Sequence, residues 1–248
     1  MPSLLEGDLQ LTFEFAAFNM ERLAEAVDAG YDIVCSCPTC GYMLKNVLSE
    51  GARYSADHRE AVGLEEDTAD KERAVADRRL GARKPGNPVL EGLYKDEGYF
   101  APMSALKRIK ISRHTYDSGE YLRDLHRAGN LNTDFGPVSA RMAYYPPCHL
   151  REQMIGEPYA DLLSLVPEIS LERIEGAFYC CGISGIMGFK RDFHEVSVEM
   201  GSRLMEKIRA IDPERLLSDC LSCRLQFNQL IPYKVFHPIE ILNESYGN

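Results

Sequence analysis

Apolar side chains recur at helical spacing over residues 12–28, at Phe15, Phe18, Leu23, Ala26 and Val27, and predict a helix there. Residues 31–34 then read as a short buried strand ending at Cys35. Pro38 and Gly41 punctuate, and a second helix is expected over 42–48. Residues 51–98 break the pattern. They are rich in Glu, Asp, Lys and Arg, with Gly81, Pro85, Gly86 and Pro88 as interruptions, which predicts an exposed insertion, partly helical near 65–80. Residues 103–128 read as two helical pieces, with Asp117 and Glu120 spaced as a capping box that opens the second.

From about 140 the alternation becomes regular. Strands are predicted at 142–145, 177–179 and 216–218, helices at about 150–165, 192–210 and 222–230, and a last short strand at Val235-Phe236 before His237. Strand–helix alternation of this kind predicts an α/β fold with short parallel strands and flanking helices. The two ends of the chain also resemble each other. Sliding residues 1–48 onto 184–231 lays Cys37-Pro38-Thr39-Cys40 on Cys220-Leu221-Ser222-Cys223, Leu44 on Phe227 and Val47 on Leu230. This reads as one supersecondary unit used twice. The expected organisation is a partial first unit over 1–50, a charged insertion and helical connector over 51–138, and a complete second unit over 139–248.

Composition narrows the function classes. The 248 residues are 45% hydrophobic and carry a formal net charge of −10, so a polyanion such as nucleic acid would be repelled. No apolar run approaches the roughly 20 residues of a membrane span, and the start Met1-Pro2-Ser3, with Glu6 and Asp8 following, lacks the basic and apolar parts of a signal peptide. The expectation is a cytoplasmic protein, with peripheral association at the inner face of the membrane left open.

The eight cysteines change that picture most. Disulfides are disfavoured in the cytosol, where cysteine clusters bind metal or do redox work. Cys35, Cys37 and Cys40 stand together. After a gap of over a hundred residues come Cys148, the pair Cys180-Cys181, and Cys220-x-x-Cys223, separated by 31 and 38 residues. The later cysteines fall just past the carboxyl ends of predicted strands, where ligand crevices lie in parallel sheets. Five thiolates exceed the four of a tetrahedral zinc or an ordinary cubane. Adjacent cysteines cannot easily turn two sulfurs on one small ion, but can reach different irons of a cluster. The spacing therefore favours iron–sulfur chemistry, with zinc as the rival. Cys35 reads as a buried small hydrophobe. Gly182, Gly185 and Gly188 read equally as a turn and as backbone that donates N–H groups to sulfur. His149 is placed to donate to a sulfur, Pro238 reads as a helix start that leaves His237 without a role, and Tyr144 and Tyr145 read as strand residues. No nucleophile–base pair, Walker loop or paired-carboxylate motif stands out, so no acid–base catalytic residue is assigned.

The strings Cys180-Cys181-Gly182-Ile183-Ser184-Gly185, Gly188-Phe189-Lys190, Pro147-Cys148-His149, Asp219-Cys220-x-x-Cys223 and His237-Pro238 together resemble the cysteine-rich CCG-domain family. That family includes the iron–sulfur subunit of anaerobic glycerol-3-phosphate dehydrogenase and the CCG-bearing subunit of heterodisulfide reductase. The resemblance covers about 140–245 well and 1–48 moderately. It implies a two-repeat architecture whose first unit is incomplete here. It implies an iron–sulfur cluster, of [4Fe–4S] or non-cubane type, on Cys148, Cys180, Cys181, Cys220 and Cys223, with Cys37 and Cys40 as remnants of a second site. The implied role is an electron-transfer subunit linking a partner dehydrogenase or reductase, such as a flavin dehydrogenase or a ferredoxin-type subunit, to a quinone or other carrier. A catalytic subunit that reduces a disulfide at the cluster, and a zinc-stabilised interaction module, are the alternatives. Because Met1 falls directly after the point where the first unit should carry Cys-Cys-Gly, the missing half is expected upstream in a longer gene or on a partner chain.

Overall fold

A computed structural model describes residues 2–62, 95–174 and 179–247. The strand expected at 177–179 and the core of the charged insertion lie largely outside the described residues. The chain forms two compact units that are not consecutive in sequence, one of residues 1–14, 32–43 and 115–248, the other of residues 15–31 and 44–114.

The first unit is α/β, as the alternation predicts, and all its strand pairs are parallel. Strand β1 (Ile33–Cys35) pairs with β2 (Thr115–Asp117). A four-stranded sheet has the order β4 (Ile169–Arg173), β3 (Ala140–Tyr144), β5 (Arg215–Leu217), β6 (Lys234–Phe236). Side chains alternate across that sheet. Met142, Tyr144 and Leu217 bury one face with Tyr159, Leu162, Leu163, Ile241 and Leu242. Ala143 and Leu216 bury the other with Tyr145, Leu204, Met205, Ile208 and Phe227. Helices thus cover both faces, as a parallel sheet requires.

Helix α1 (Leu9–Asp28) is followed by α2 (Pro38–Tyr42), which starts earlier than the pattern suggests. Pro38 takes the first helical position, where its missing N–H costs nothing. The helix then loosens into a π turn over Met43–Val47. In the second unit, α3 (Ala56–Val62) precedes α4 (Ala105–Arg113). Arg108 on α4 is fully buried, paired with Asp96 and donating to the carbonyl of Glu50 at 3.1 Å.

In the first unit, α5 (Ser118–Arg127) opens on the expected capping box of Asp117 and Glu120. The single helix expected over 150–165 is two, α6 (Cys148–Arg151) and α7 (Pro158–Leu163). Met154 and Gly156 between them are left-handed, and Pro158 restarts the helix. Strands β2 and β4 are additions to the expected elements, the first because three residues give no usable periodicity. Helices α8 (His194–Ile211), α9 (Leu221–Leu230) and α10 (Pro238–Ser245) complete the chain.

Candidate metal centre

Cys37, Cys148 and Cys220 stand just beyond the carboxyl ends of strands. Cys37 comes two residues after β1 and is the N-cap of α2. Cys220 comes three after β5 and is the N-cap of α9. The two caps have like extended backbones, φ −127° and ψ 122° at Cys37, φ −88° and ψ 121° at Cys220. Each places a sulfur at a helix N-terminus without a side-chain hydrogen bond to the helix amides. Cys148 opens α6 beyond β3. Cys180 and Cys181 lead into the turn before α8.

Neighbouring thiols influence one another in the order Cys40, Cys37, Cys220, Cys223, Cys181 and Cys180, and among the described residues only Cys223 and Cys181 are joined by a sulfur–sulfur hydrogen bond. The Cys223–Cys181 distance is 3.0 Å. Cys148 lies close enough to Cys181 and Cys180 to interact with their charge. The order runs from exposed Cys40 through half-buried Cys37 to buried Cys220, Cys223 and Cys181. Half-buried Cys180 and exposed Cys148 stand at its other end. Cys35 is also buried, on β1.

Protons are shared unequally along that order. Neighbouring Cys180 and Cys223 pull the Cys181 thiol down to about 4. Neighbouring Cys220 and Cys40 hold Cys37 far below the ordinary thiol range. Their partners move up: the contact with Cys181 raises Cys180, and the contact with Cys37 raises Cys40.

A backbone amide also reaches the cysteine pair. Gly182 N–H donates to Cys180 Sγ at 3.3 Å. Neither cap cysteine, Cys37 or Cys220, accepts a side-chain hydrogen bond from the amides of its helix. The glycine-rich stretch is therefore both things its sequence allowed, a turn and a sulfur donor. Gly182 has φ +96°, and a Cβ there would stand 2.0 Å from the Ser197 carbonyl oxygen on α8. Gly201, on the same helix, would press a Cβ to 2.6 Å from the Cys181 carbonyl oxygen. Only glycine lets α8 lie this close to the cysteine pair.

His149 does not give its ring to a sulfur. Its Nδ1 is 2.9 Å from Thr39 Oγ1 and its ring stacks on Tyr42 at 5.0 Å and 7°. Gln153 Nε2 donates to the Pro38 carbonyl at 3.0 Å. These contacts fasten α2 to α6. His237 gains the role its sequence withheld. It is the N-cap of α10, with Nδ1 accepting from Ile239 N–H at 3.1 Å while Glu240 accepts from the His237 amide at 2.7 Å. Tyr144 and Tyr145 are more than strand residues. Tyr144 donates its hydroxyl to Asp219 at 2.7 Å, and Tyr145 to the Tyr179 carbonyl at 2.9 Å. Burial pushes the Asp219 carboxyl up to about 7. A buried acid beside Cys220 is visible in the sequence only as the residue before a Cys-x-x-Cys.

Among the described residues, no three His, Cys, Asp or Glu side chains gather round one point closely enough to hold a single ion. The donor set is all thiol, extended and amide-supported. That set fits a cluster of several metal atoms better than a lone zinc, which wants four ligands about one point.

A family model described as the CCG cysteine-rich domain matches residues 142–228. The matched stretch contains Cys148, Cys180, Cys181, Cys220 and Cys223. Among similar proteins is anaerobic glycerol-3-phosphate dehydrogenase of Escherichia coli K12, in the subunit lettered C. It is 29% identical over 110 residues, 44% of this chain and 27% of the relative. Another is fumarate reductase (CoM/CoB) of Methanothermobacter marburgensis, in the subunit lettered B. It is 26% identical over 148 residues, 57% of this chain and 29% of the relative. The match thus spans little more than a quarter of either relative. The CCG domain and these relatives support an iron–sulfur cluster as the cofactor. No helix among the described residues is long and apolar enough to cross a membrane.

Proposed function

We propose that this chain is an iron–sulfur subunit of a larger oxidoreductase. Cys148, Cys180, Cys181, Cys220 and Cys223 would hold a cluster of [4Fe–4S] or non-cubane type. Its task would be to relay electrons between a partner dehydrogenase or reductase and a quinone or other carrier. The observation that carries this reading is the gathering of thiols beyond the ends of β3 and β5, where Cys223 hydrogen-bonds to Cys181 at 3.0 Å. When bound, the cluster supplies one-electron chemistry. The chain's own residues supply the rest. Buried Cys220, Cys223 and Cys181 exclude water from the inner side, and the Gly182 amide offers a hydrogen bond that would raise the reduction potential. Exposed Cys148 faces the side from which a partner could approach.

The domain division proposed with this role is a first unit over 1–50, a connector over 51–138 and a cluster-binding unit over 139–248. The proposed setting is the cytoplasm, with docking on other subunits at the inner face of a membrane. Anaerobic purification with iron, acid-labile sulfide and zinc analysis tests the reading. A brown protein with iron and sulfide in comparable amounts is expected. A colourless protein with stoichiometric zinc would overturn it in favour of an interaction module. Exposed Cys148 also favours, as a second reading, reduction of a disulfide at the site. Reoxidation of the dithionite-reduced protein by a small disulfide, but not by a quinone, would select that reading.

A further inference from the structure

Tyr179 is the residue before the cysteine pair, and its carbonyl takes two hydrogen bonds. The Tyr145 hydroxyl donates to it at 2.9 Å and Arg151 Nη2 at 3.3 Å. The two donors flank Cys148. Tyr145 stands three residues before it, just past β3, and Arg151 three residues after it, at the end of α6. They also touch each other, with the Arg151 guanidinium carbon 5.9 Å from the centre of the Tyr145 ring. Tyr145 is itself fixed. It is buried, its amide donates to the Leu217 carbonyl at 2.9 Å, and its ring meets Phe227 edge-on at 5.5 Å and 86°. The Tyr179 ring in turn has Lys207 Nζ, from α8, 5.0 Å from its centre.

We propose that Tyr145 and Arg151 are positioning residues for the cluster, clamping the Cys180-Cys181 pair to the segment that carries Cys148 through the Tyr179 carbonyl. The inference rests on the cluster-binding reading above and deepens it. A carbonyl oxygen has two lone pairs, so it serves both donors at once. The peptide plane that carries this oxygen includes the nitrogen and Cα of Cys180, so holding the oxygen holds the start of the pair. Between Cys148 and Cys180 lie 31 residues. Thiols drawn from segments so far apart bind metal best when their geometry is fixed beforehand, because ordering them during binding costs free energy.

The test compares Tyr145→Phe and Arg151→Met with the parent, as full chains loaded anaerobically with iron and sulfide. Phenylalanine keeps the ring on Phe227 and removes only the hydroxyl. Methionine keeps an apolar stem and removes the donor. Each loaded variant is expected to show an altered electron paramagnetic resonance spectrum and to lose iron to a chelator at least about threefold faster. Arg151→Lys keeps a cationic donor and is expected to fall nearer the parent than Arg151→Met. In the metal-free chains, half-buried Cys180 is expected to react with iodoacetamide about threefold faster once either donor is gone, because the pair opens more often. Parental spectra and parental iron loss in folded Tyr145→Phe and Arg151→Met would overturn the proposal, even if urea unfolding found them less stable, since a merely structural contact would do that much. If Arg151→Met does not fold, Tyr145→Phe decides alone. A parent that binds no iron would bring down the cluster reading instead. Alkylation of Cys180 would then still decide the clamp, and equal rates in parent and variants would overturn it.

Discussion

Cys223 donates a hydrogen bond from its Sγ to the Sγ of Cys181, 3.0 Å away, although 42 residues separate them in sequence. Both side chains sit in the apolar layer with Phe227, Leu204 and Met205. A thiol is apolar enough for such a place, and both residues are buried. Serine at either position is nearly isosteric but binds iron poorly. Cys181→Ser and Cys223→Ser are each expected to weaken iron retention by at least about tenfold, measured as iron and sulfide per chain after gel filtration. Cys180→Ser tests the adjacent pair. Full retention there would mean that the pair does not supply two ligands.

The approach of α8 to the cysteine pair yields a second prediction. Alanine at Gly182 meets two penalties, a left-handed backbone and a Cβ 2.0 Å from the Ser197 carbonyl oxygen. Gly182→Ala is expected to cost about 2–4 kcal/mol of stability. Gly201→Ala, with only the contact to the Cys181 carbonyl, should cost less, about 1–3 kcal/mol. Denaturant unfolding of the metal-free proteins measures both. Equal stability of parent and Gly182→Ala would show that α8 can move away from the pair freely.

What is legible in the sequence is what local chemistry dictates. Helices α1, α5, α8 and α9 follow their periodicity, and the Asp117–Glu120 cap stands where its spacing puts it. The cysteines can be placed beyond strand ends because β3 and β5 end in apolar runs just before Cys148 and Cys220. Long-range pairing is not legible. Strand β2 is three residues long and exists because β1 pairs with it. The packing of α2 against α6 requires that pairing and the docking of Thr39 on His149, neither of which leaves a local signal. His237 is unreadable as a cap because caps are ordinarily sought among Ser, Thr, Asp and Asn.

In the second unit, Arg108 is the test of packing away from the thiols. It is fully buried, paired with Asp96, and its guanidinium also reaches the Glu50 carbonyl. Removing one partner of a buried pair leaves the other charge without compensation. Arg108→Ala is expected to destabilise by about 3–5 kcal/mol. Arg108→Met, paired with Asp96→Asn, should recover part of that loss. If the double variant is no more stable than Arg108→Ala, the cost lies in lost packing and in the carbonyl contact, not in the abandoned carboxylate.

The last prediction concerns pH and the cap of α10. Burial first, and then the charge of Arg224, pull the His237 imidazole down to about 4, below its ordinary value of 6.5. The neutral ring is the one that works, because Nδ1 must carry a lone pair to accept from the Ile239 amide. The unfolded chain takes up a proton near pH 6.5, whereas the folded chain takes it up only near 4. Stability from this residue is therefore fully present above about pH 6.5 and is lost as pH falls towards 4, by up to about 3 kcal/mol. Asparagine keeps a capping acceptor but does not titrate. His237→Asn is expected to flatten the dependence of unfolding free energy on pH between about 4 and 6.5, read from urea unfolding of the metal-free chain at several pH values. His237→Ala should flatten it as well and lower stability by about a further 1 kcal/mol at neutral pH through the lost cap. Parallel curves for the parent and His237→Asn across that range would show that His237 is not held neutral by the fold.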